Sequence, residues 1–440
     1  MDKKSGWEVL SEKELSEVQK FAEEYMDFMS KNKTEREFVQ ASMEIAEQWG
    51  LSYRVFHGKT LGIFRPQGNP VEEGLRIIAA HVDAPRIDLK PQPVLEKENF
   101  VLFNTHYYGG IKKYQWLSIP LALHGVVIKK DGTKVEIRIG ENEREPVLTI
   151  PDLLPHLSRK QMEKKATEII EGENLDCIAG SKPAKVKENR FKKFILDLLK
   201  KNYGIEEEDL ISSELQLVPA WNAREVGIDR SLIGAYGQDD RVCSFTALKA
   251  IAGMGGGNRT PVVILYDKEE IGSTGNTGAT SRIIEDIVIE VLEELGIEPT
   301  YKNIRKTLNA SVCLSADVNA GVNPLFPEVH DTTNAARLGY GLVLTKYTGH
   351  RGKGGTNDAH AELVYEIRRI FNENNVLWQT GELGKVDEGG GGTVARFIAE
   401  FGIDTIDSGI PLLAMHSPFE ISSKIDVYQA YKGFRAFLES

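Results

Sequence analysis

Apolar runs of four to six residues recur along the chain, and between most of them the apolar positions repeat every three or four residues. The runs "LRIIAA" (75–80), "PVVIL" (261–265) and "SVCLSA" (311–316) are continuous rather than alternating, the pattern of strands buried on both faces. Helical periodicity marks "CSFTALKAIAGM", "TSRIIEDIVIEVLEELG" and "DAHAELVYEIRRIFNENN" between them, and a further helix is expected in "GTVARFIAEFG". Near the N-terminus, "SEKE" (11–14) and "TERE" (34–37) fit the S/T-x-x-E capping box and predict two helix starts. Strands alternating with helices predict an α/β fold, with a mostly parallel sheet sandwiched by helices.

That pattern breaks between residues 94 and 229. Short β segments take over, with "GVVIKKDGTKVEIRIG" (125–140) predicting a hairpin turned at Asp131-Gly132. Residues 157–210 are charged and expected to be helical, most clearly in "ENRFKKFILDLLKKNYG". The economical division is one α/β domain from 1–93 and 230–440, interrupted by a β-rich and helical insertion over 94–229.

Composition narrows the function classes. The 440 residues are 41% hydrophobic and 27% charged, an ordinary globular balance. A net charge of −11 gives no global support to a nucleic-acid partner. Cys177, Cys243 and Cys313 are too scattered for a disulfide framework, which points to a reducing, cytoplasmic home. Residues 1–17 lack the apolar core of a signal peptide, and no apolar window is long enough to span a membrane.

Ligands of α/β sheets collect at the carboxyl ends of strands. Here His81 and Asp83 follow one apolar run, and Asp239 and Asp240 follow "SLIGAYGQ". Glu269 and Glu270 follow "PVVILYD", Asp317 follows "SVCLSA", and His416 follows "GIPLLAM". Singly, each is more often a cap, a turn residue or a packed histidine. Together they form a nitrogen and oxygen donor set without thiolate, suited to Zn, Co or Mn. Two histidines and several carboxylates exceed the needs of one ion, so a shared carboxylate between two ions is the economical arrangement.

In order and spacing, "AAHVDAPRIDLKP", "GQDDR", "YDKEEIGS", "LSADV" and "AMHSPFE" resemble the motifs of aspartyl aminopeptidases, with "YYGG" and "IPDLLPHL" extending the resemblance into the insertion. The resemblance implies a dinuclear-zinc exopeptidase that releases acidic N-terminal residues. It places His81 and Asp317 on one metal, Glu270 and His416 on the other, and Asp239 between them. It makes Glu269 the general base and Asp83 a carboxylate that orients His81. Asp239 is chosen over Asp240 by its distance to Ala247 of "ALKAI", although Asp240 stands where the family usually has asparagine. Lys346 matches the lysine that grips the acidic side chain. His156 matches a histidine that reaches a neighbouring subunit's site and helps hold the tetrahedral intermediate. Peptide substrates and a homo-oligomer, a dodecamer, are implied as well.

Two departures bear on substrate preference: Trp116 is followed by "LSIP" in place of an aspartate-arginine-aspartate run, and Asp317 by "VNA" in place of methionine-alanine-histidine. An aminopeptidase of neutral specificity, a related amidase and a catalytically silent scaffold on the same fold are the alternatives. The glycine run 389–392 lacks the Lys-Ser/Thr ending of a phosphate loop, and close backbone approach near the metals suits it better.

Overall fold

The computed structural model describes residues 4–440, so the first three residues of the N-terminal stretch discussed above lie outside it. It divides into two compact units, one of 1–84, 222–415 and 419–440, the other of 85–221 with 416–418. The strand Arg86–Lys97 runs across position 93, where the sequence pattern put the start of the insertion, because the second unit's sheet takes in the chain as soon as it leaves His81.

The first unit is built on eight strands in the order Ser52–Phe56, Thr60–Phe64, Thr260–Tyr266, Leu75–His81, Val312–Ser315, Asp404–Gly409, Leu342–Thr345, Trp378–Thr380. The four central strands are parallel. Their side chains alternate between two cores. Ile78, Ala80, Val263, Leu265 and Leu314 share one cluster with residues of the helices Glu12–Lys31, Gln238–Gly253 and Lys424–Glu439. Ile77, Ala79, Val262, Ile264 and Cys313 face the other, with the helix Ile283–Glu294. Both faces are therefore covered, which is why these strands read as continuous apolar runs.

Both capping boxes form: Glu14 N–H donates to Ser11 Oγ and Glu37 N–H to Thr34 Oγ1, each at 3.3 Å. They open the helices Glu12–Lys31 and Glu35–Gln48.

The second unit carries a six-stranded antiparallel sheet. Its hairpin is not closed by a two-residue turn. Lys129 N–H donates to Thr133 O (2.9 Å) and Gly132 N–H to Lys129 O (2.8 Å), leaving a loop that ends in Gly132 at φ +83°. Left-handed glycine at that place is the mark of a three-residue loop rather than a two-residue one. Helix is also scarcer than expected over 157–210. The stretch Arg190–Tyr203 is helical and ends at left-handed Gly204. Between Glu163 and Asn189 the chain has only a short 3-10 turn and the strand Cys177–Gly180, because its charges there have no apolar stripe to order them.

Among the described residues, no helix is long and apolar enough to cross a membrane.

Candidate active site

The register of the central strands sets the site. His81 is level with Tyr266, and Ser315 with Ala79, so the turns after three strands open on one edge of the sheet. His81, Glu269-Glu270 and Asp317 come from those turns. Asp239 and His416 arrive differently. Asp239 is in the first turn of the helix Gln238–Gly253, after a strand (Leu232–Ala235) that belongs to a separate three-stranded sheet. His416 follows the two-residue strand Pro411–Leu412, which pairs with Asn319–Ala320. Only three of the five donor positions thus end strands of the main sheet.

Two groups of donor atoms result, each with its atoms within 4.8 Å of one another: His81, Asp239 and Asp317, and Asp239, Glu270 and His416. Asp239 belongs to both. His81 Nε2 is 3.3 Å from Asp239 Oδ1, 4.0 Å from Asp317 Oδ1 and 3.9 Å from Glu269 Oε2. Asp240 points elsewhere: its Oδ2 accepts the His81 backbone N–H at 3.2 Å. His416 Nδ1 is 2.9 Å from Gly110 O.

Asp83 does two jobs. His81 Nδ1 contacts its backbone oxygen at 3.0 Å and its carboxylate at 3.3 Å, so the main chain shares in orienting the imidazole. The two carboxylate oxygens accept the N–H groups of Glu269 (3.1 Å) and Glu270 (3.2 Å). The loop beyond is latched further on. Thr277 Oγ1 donates to Asp267 Oδ2 (2.7 Å), and Thr60 Oγ1 to Thr277 O (2.6 Å).

The electrostatics test whether these residues suit a cation. Burial pushes the Asp317 carboxyl well above its ordinary range, with repulsion from Asp240 adding and His81 opposing. Asp240 is pushed up in the same way, by burial and by Asp239 against the pull of His81. For His81 burial disfavours the charged ring, yet hydrogen bonds to Asp239 and Asp83 and the charges of Asp83 and Asp317 outweigh it and raise its pKa well above the ordinary value. Each of these shifts favours positive charge among the carboxylates. Divalent cations would supply that charge, and the donor set of imidazole and carboxylate fits zinc, cobalt or manganese.

The remaining expected residues lie outside both groups. Lys346 follows the strand Leu342–Thr345, which runs antiparallel to Asp404–Gly409, and its Nζ pairs with Asp358 Oδ1 at 2.5 Å. Lys353 takes the other oxygen of Asp358 at 2.8 Å. His156 is exposed on the 3-10 turn Pro155–Leu157, among the exposed Leu153, Leu154 and Leu157. The glycine run approaches backbone, as Gly349 N–H donates to Gly391 O (2.7 Å), and Thr393 Oγ1 closes it onto Asp407 Oδ1 (2.7 Å). Gln238, Arg241 and Glu420, which hold the turn around Asp239, drew no attention in the sequence, although all three sit inside quoted motifs.

The family model described as aminopeptidase I zinc metalloprotease (M18) matches residues 11–438. The chain is 48% identical over 456 residues to a probable M18 family aminopeptidase 1 of Borreliella afzelii, covering 99% of each protein. Its fold is similar to the crystal structure of an M18 aminopeptidase from Thermotoga maritima, with a TM-score of 0.96, 48% identity and coverage of 100% and 99%. Yeast mApe1, solved as a dodecamer, shares the fold at a TM-score of 0.76, with 24% identity and coverage of 95% and 96%.

Proposed function

The chain belongs to the M18 family of zinc metallo-aminopeptidases, and from that membership we propose that it releases single N-terminal residues, preferably Glu or Asp, from peptides at a centre of two divalent cations. The observation that carries this reading is the presence of Asp239 in both donor groups. In it, His81 and Asp317 would hold one cation, Glu270 and His416 the other, and Asp239 would serve both. When bound, such a pair lowers the pKa of the attacking water and draws charge from the scissile carbonyl. Zinc is the first choice of metal, cobalt or manganese the next.

The chain's own residues supply the proton transfers and the alignment. Glu269, beside His81 and with its N–H fixed by Asp83, takes a proton from the attacking water and passes it to the leaving amine. Asp83 and the latch of Thr60, Asp267 and Thr277 keep that carboxylate in place. Lys346 receives the acidic side chain. By analogy with the yeast relative the working form is a homododecamer, in which His156 serves a neighbouring subunit's site. The three buried free cysteines support a reducing, cytoplasmic setting.

One observation favours a second reading, an aminopeptidase of neutral specificity: Lys346 already has a carboxylate partner in Asp358. A matched set of peptides beginning with Glu, Asp, Leu or Lys separates the two. The protein is stripped with chelator and reloaded with Zn, Co or Mn. Release of Glu and Asp on metal return, lost selectively in Lys346→Ala, is the expected result. Preferential release of Leu, untouched by that substitution, would establish the neutral reading instead.

A further inference from the structure

The turn that presents Asp239 is held at each residue by a buried side chain. Arg241 has no exposed surface, and it donates from Nε to Gly237 O (3.0 Å), from Nη2 to Tyr236 O (3.1 Å) and from Nη1 to Asn32 O (2.8 Å). Gln238 donates through Nε2 to Ile233 O (3.2 Å) and Glu420 O (2.7 Å). Its Oε1 accepts from Ser422 Oγ (2.6 Å) and Tyr25 OH (3.2 Å). Gly237 is at φ +67°, and a β-carbon there would meet the Arg241 guanidinium at 1.6 Å, so backbone and guanidinium fit each other closely.

The Asp239 N–H of this turn goes to Glu420 Oε2 at 3.1 Å. Glu420 is 0% exposed. It opens the strand Glu420–Ser423, which pairs with Leu232–Ala235 and sets Glu420 level with Ala235. The strand pair that delivers the turn therefore also delivers its acceptor. Burying a carboxylate is costly unless a donor meets it, and here the Asp239 N–H does. An apolar residue would avoid that cost but take this acceptor away from the Asp239 N–H.

We infer that Glu420 is a positioning residue for the metal centre: by accepting the Asp239 N–H it fixes the backbone from which one carboxylate must reach both donor groups. This rests on the proposed bridging role of Asp239. Groups that orient metal ligands typically matter about 10–100-fold in metal affinity when removed.

Two conservative substitutions separate position from charge. Glu420→Gln keeps an acceptor at the same reach and loses the charge. Glu420→Asp keeps the charge but withdraws it by one carbon–carbon bond, about 1.5 Å. Zinc affinity is measured by competition with a chromophoric chelator, and zinc content by mass spectrometry. Melting temperatures of the metal-free proteins control for folding. The expected result is zinc affinity within about threefold of the parent for Glu420→Gln, and a loss of about 10–100-fold for Glu420→Asp at an unchanged metal-free melting temperature. The reverse order would overturn the inference in favour of a charge effect, and parental affinity in both would overturn it outright. Asp239→Asn serves as the reference: if it retained both zincs at parental affinity, the bridging assignment itself would fall, whatever Glu420 does.

Discussion

Glu269 and Glu270 can stand side by side because Asp83 accepts both of their backbone N–H groups, leaving the side chains free to diverge. Glu270 joins Asp239 and His416, while Glu269 comes within 3.9 Å of His81 Nε2. The roles divide accordingly. Glu269→Gln removes the proposed proton acceptor and none of the donor groups, so turnover should fall by about 10²–10⁴-fold with zinc content at the parental level. Elemental analysis beside steady-state kinetics checks this, and zinc lost together with activity would make Glu269 a ligand. At this scale the sequence was most readable where a donor lies within a few residues of an apolar run, as at His81, Glu270 and Asp317. Asp239 was separated from Asp240 only by its spacing to Ala247 in the family pattern, since adjacent residues otherwise share their context and differ in where the turn points them. Glu420 was illegible for another reason: its partner lies 181 residues away.

Among the elements, the helix Lys424–Glu439 does more than cover a core. Asp426 in its first turn accepts Gly341 N–H at Oδ1 (2.6 Å) and Gly339 N–H at Oδ2 (2.7 Å), pinning the approach to the strand Leu342–Thr345. Burial pushes this carboxyl up to about 8, against the pull of those two N–H groups. A carboxyl held above its ordinary value of 3.8 contributes its full stability below that value, and the contribution shrinks as pH rises towards about 8. The parent should therefore lose melting temperature relative to Asp426→Asn as the buffer goes from pH 4 to pH 8, in scans at fixed metal occupancy. A difference that stays level across that window would mean Asp426 titrates normally. Helices with capping boxes and buried strands were legible because their periodicity is long. The three-stranded sheet of 224–226, 232–235 and 420–423 was not, since strands of three or four residues carry too little pattern.

For the whole molecule, the open question is assembly. In the second unit Leu153, Leu154 and Leu157 expose 53%, 50% and 70% of their surface around His156, an arrangement that suits burial against another copy. Sedimentation velocity should give a mass twelve times the 49.0 kDa chain, and Leu157→Glu should shift it towards smaller species. A parent that sediments as a monomer would remove the dodecamer proposal and His156's part in it. The donors themselves come from positions 81, 239, 270, 317 and 416 of 440. At ribosomal speeds of about 5–20 residues per second, roughly 20–70 seconds separate the synthesis of His81 from that of His416. The first group of donors is complete with Asp317, but the second waits for His416, 99 residues further on. A nascent chain therefore has its first donor group before its second, and on the proposed reading it gains the power to cut only once His416 has been made.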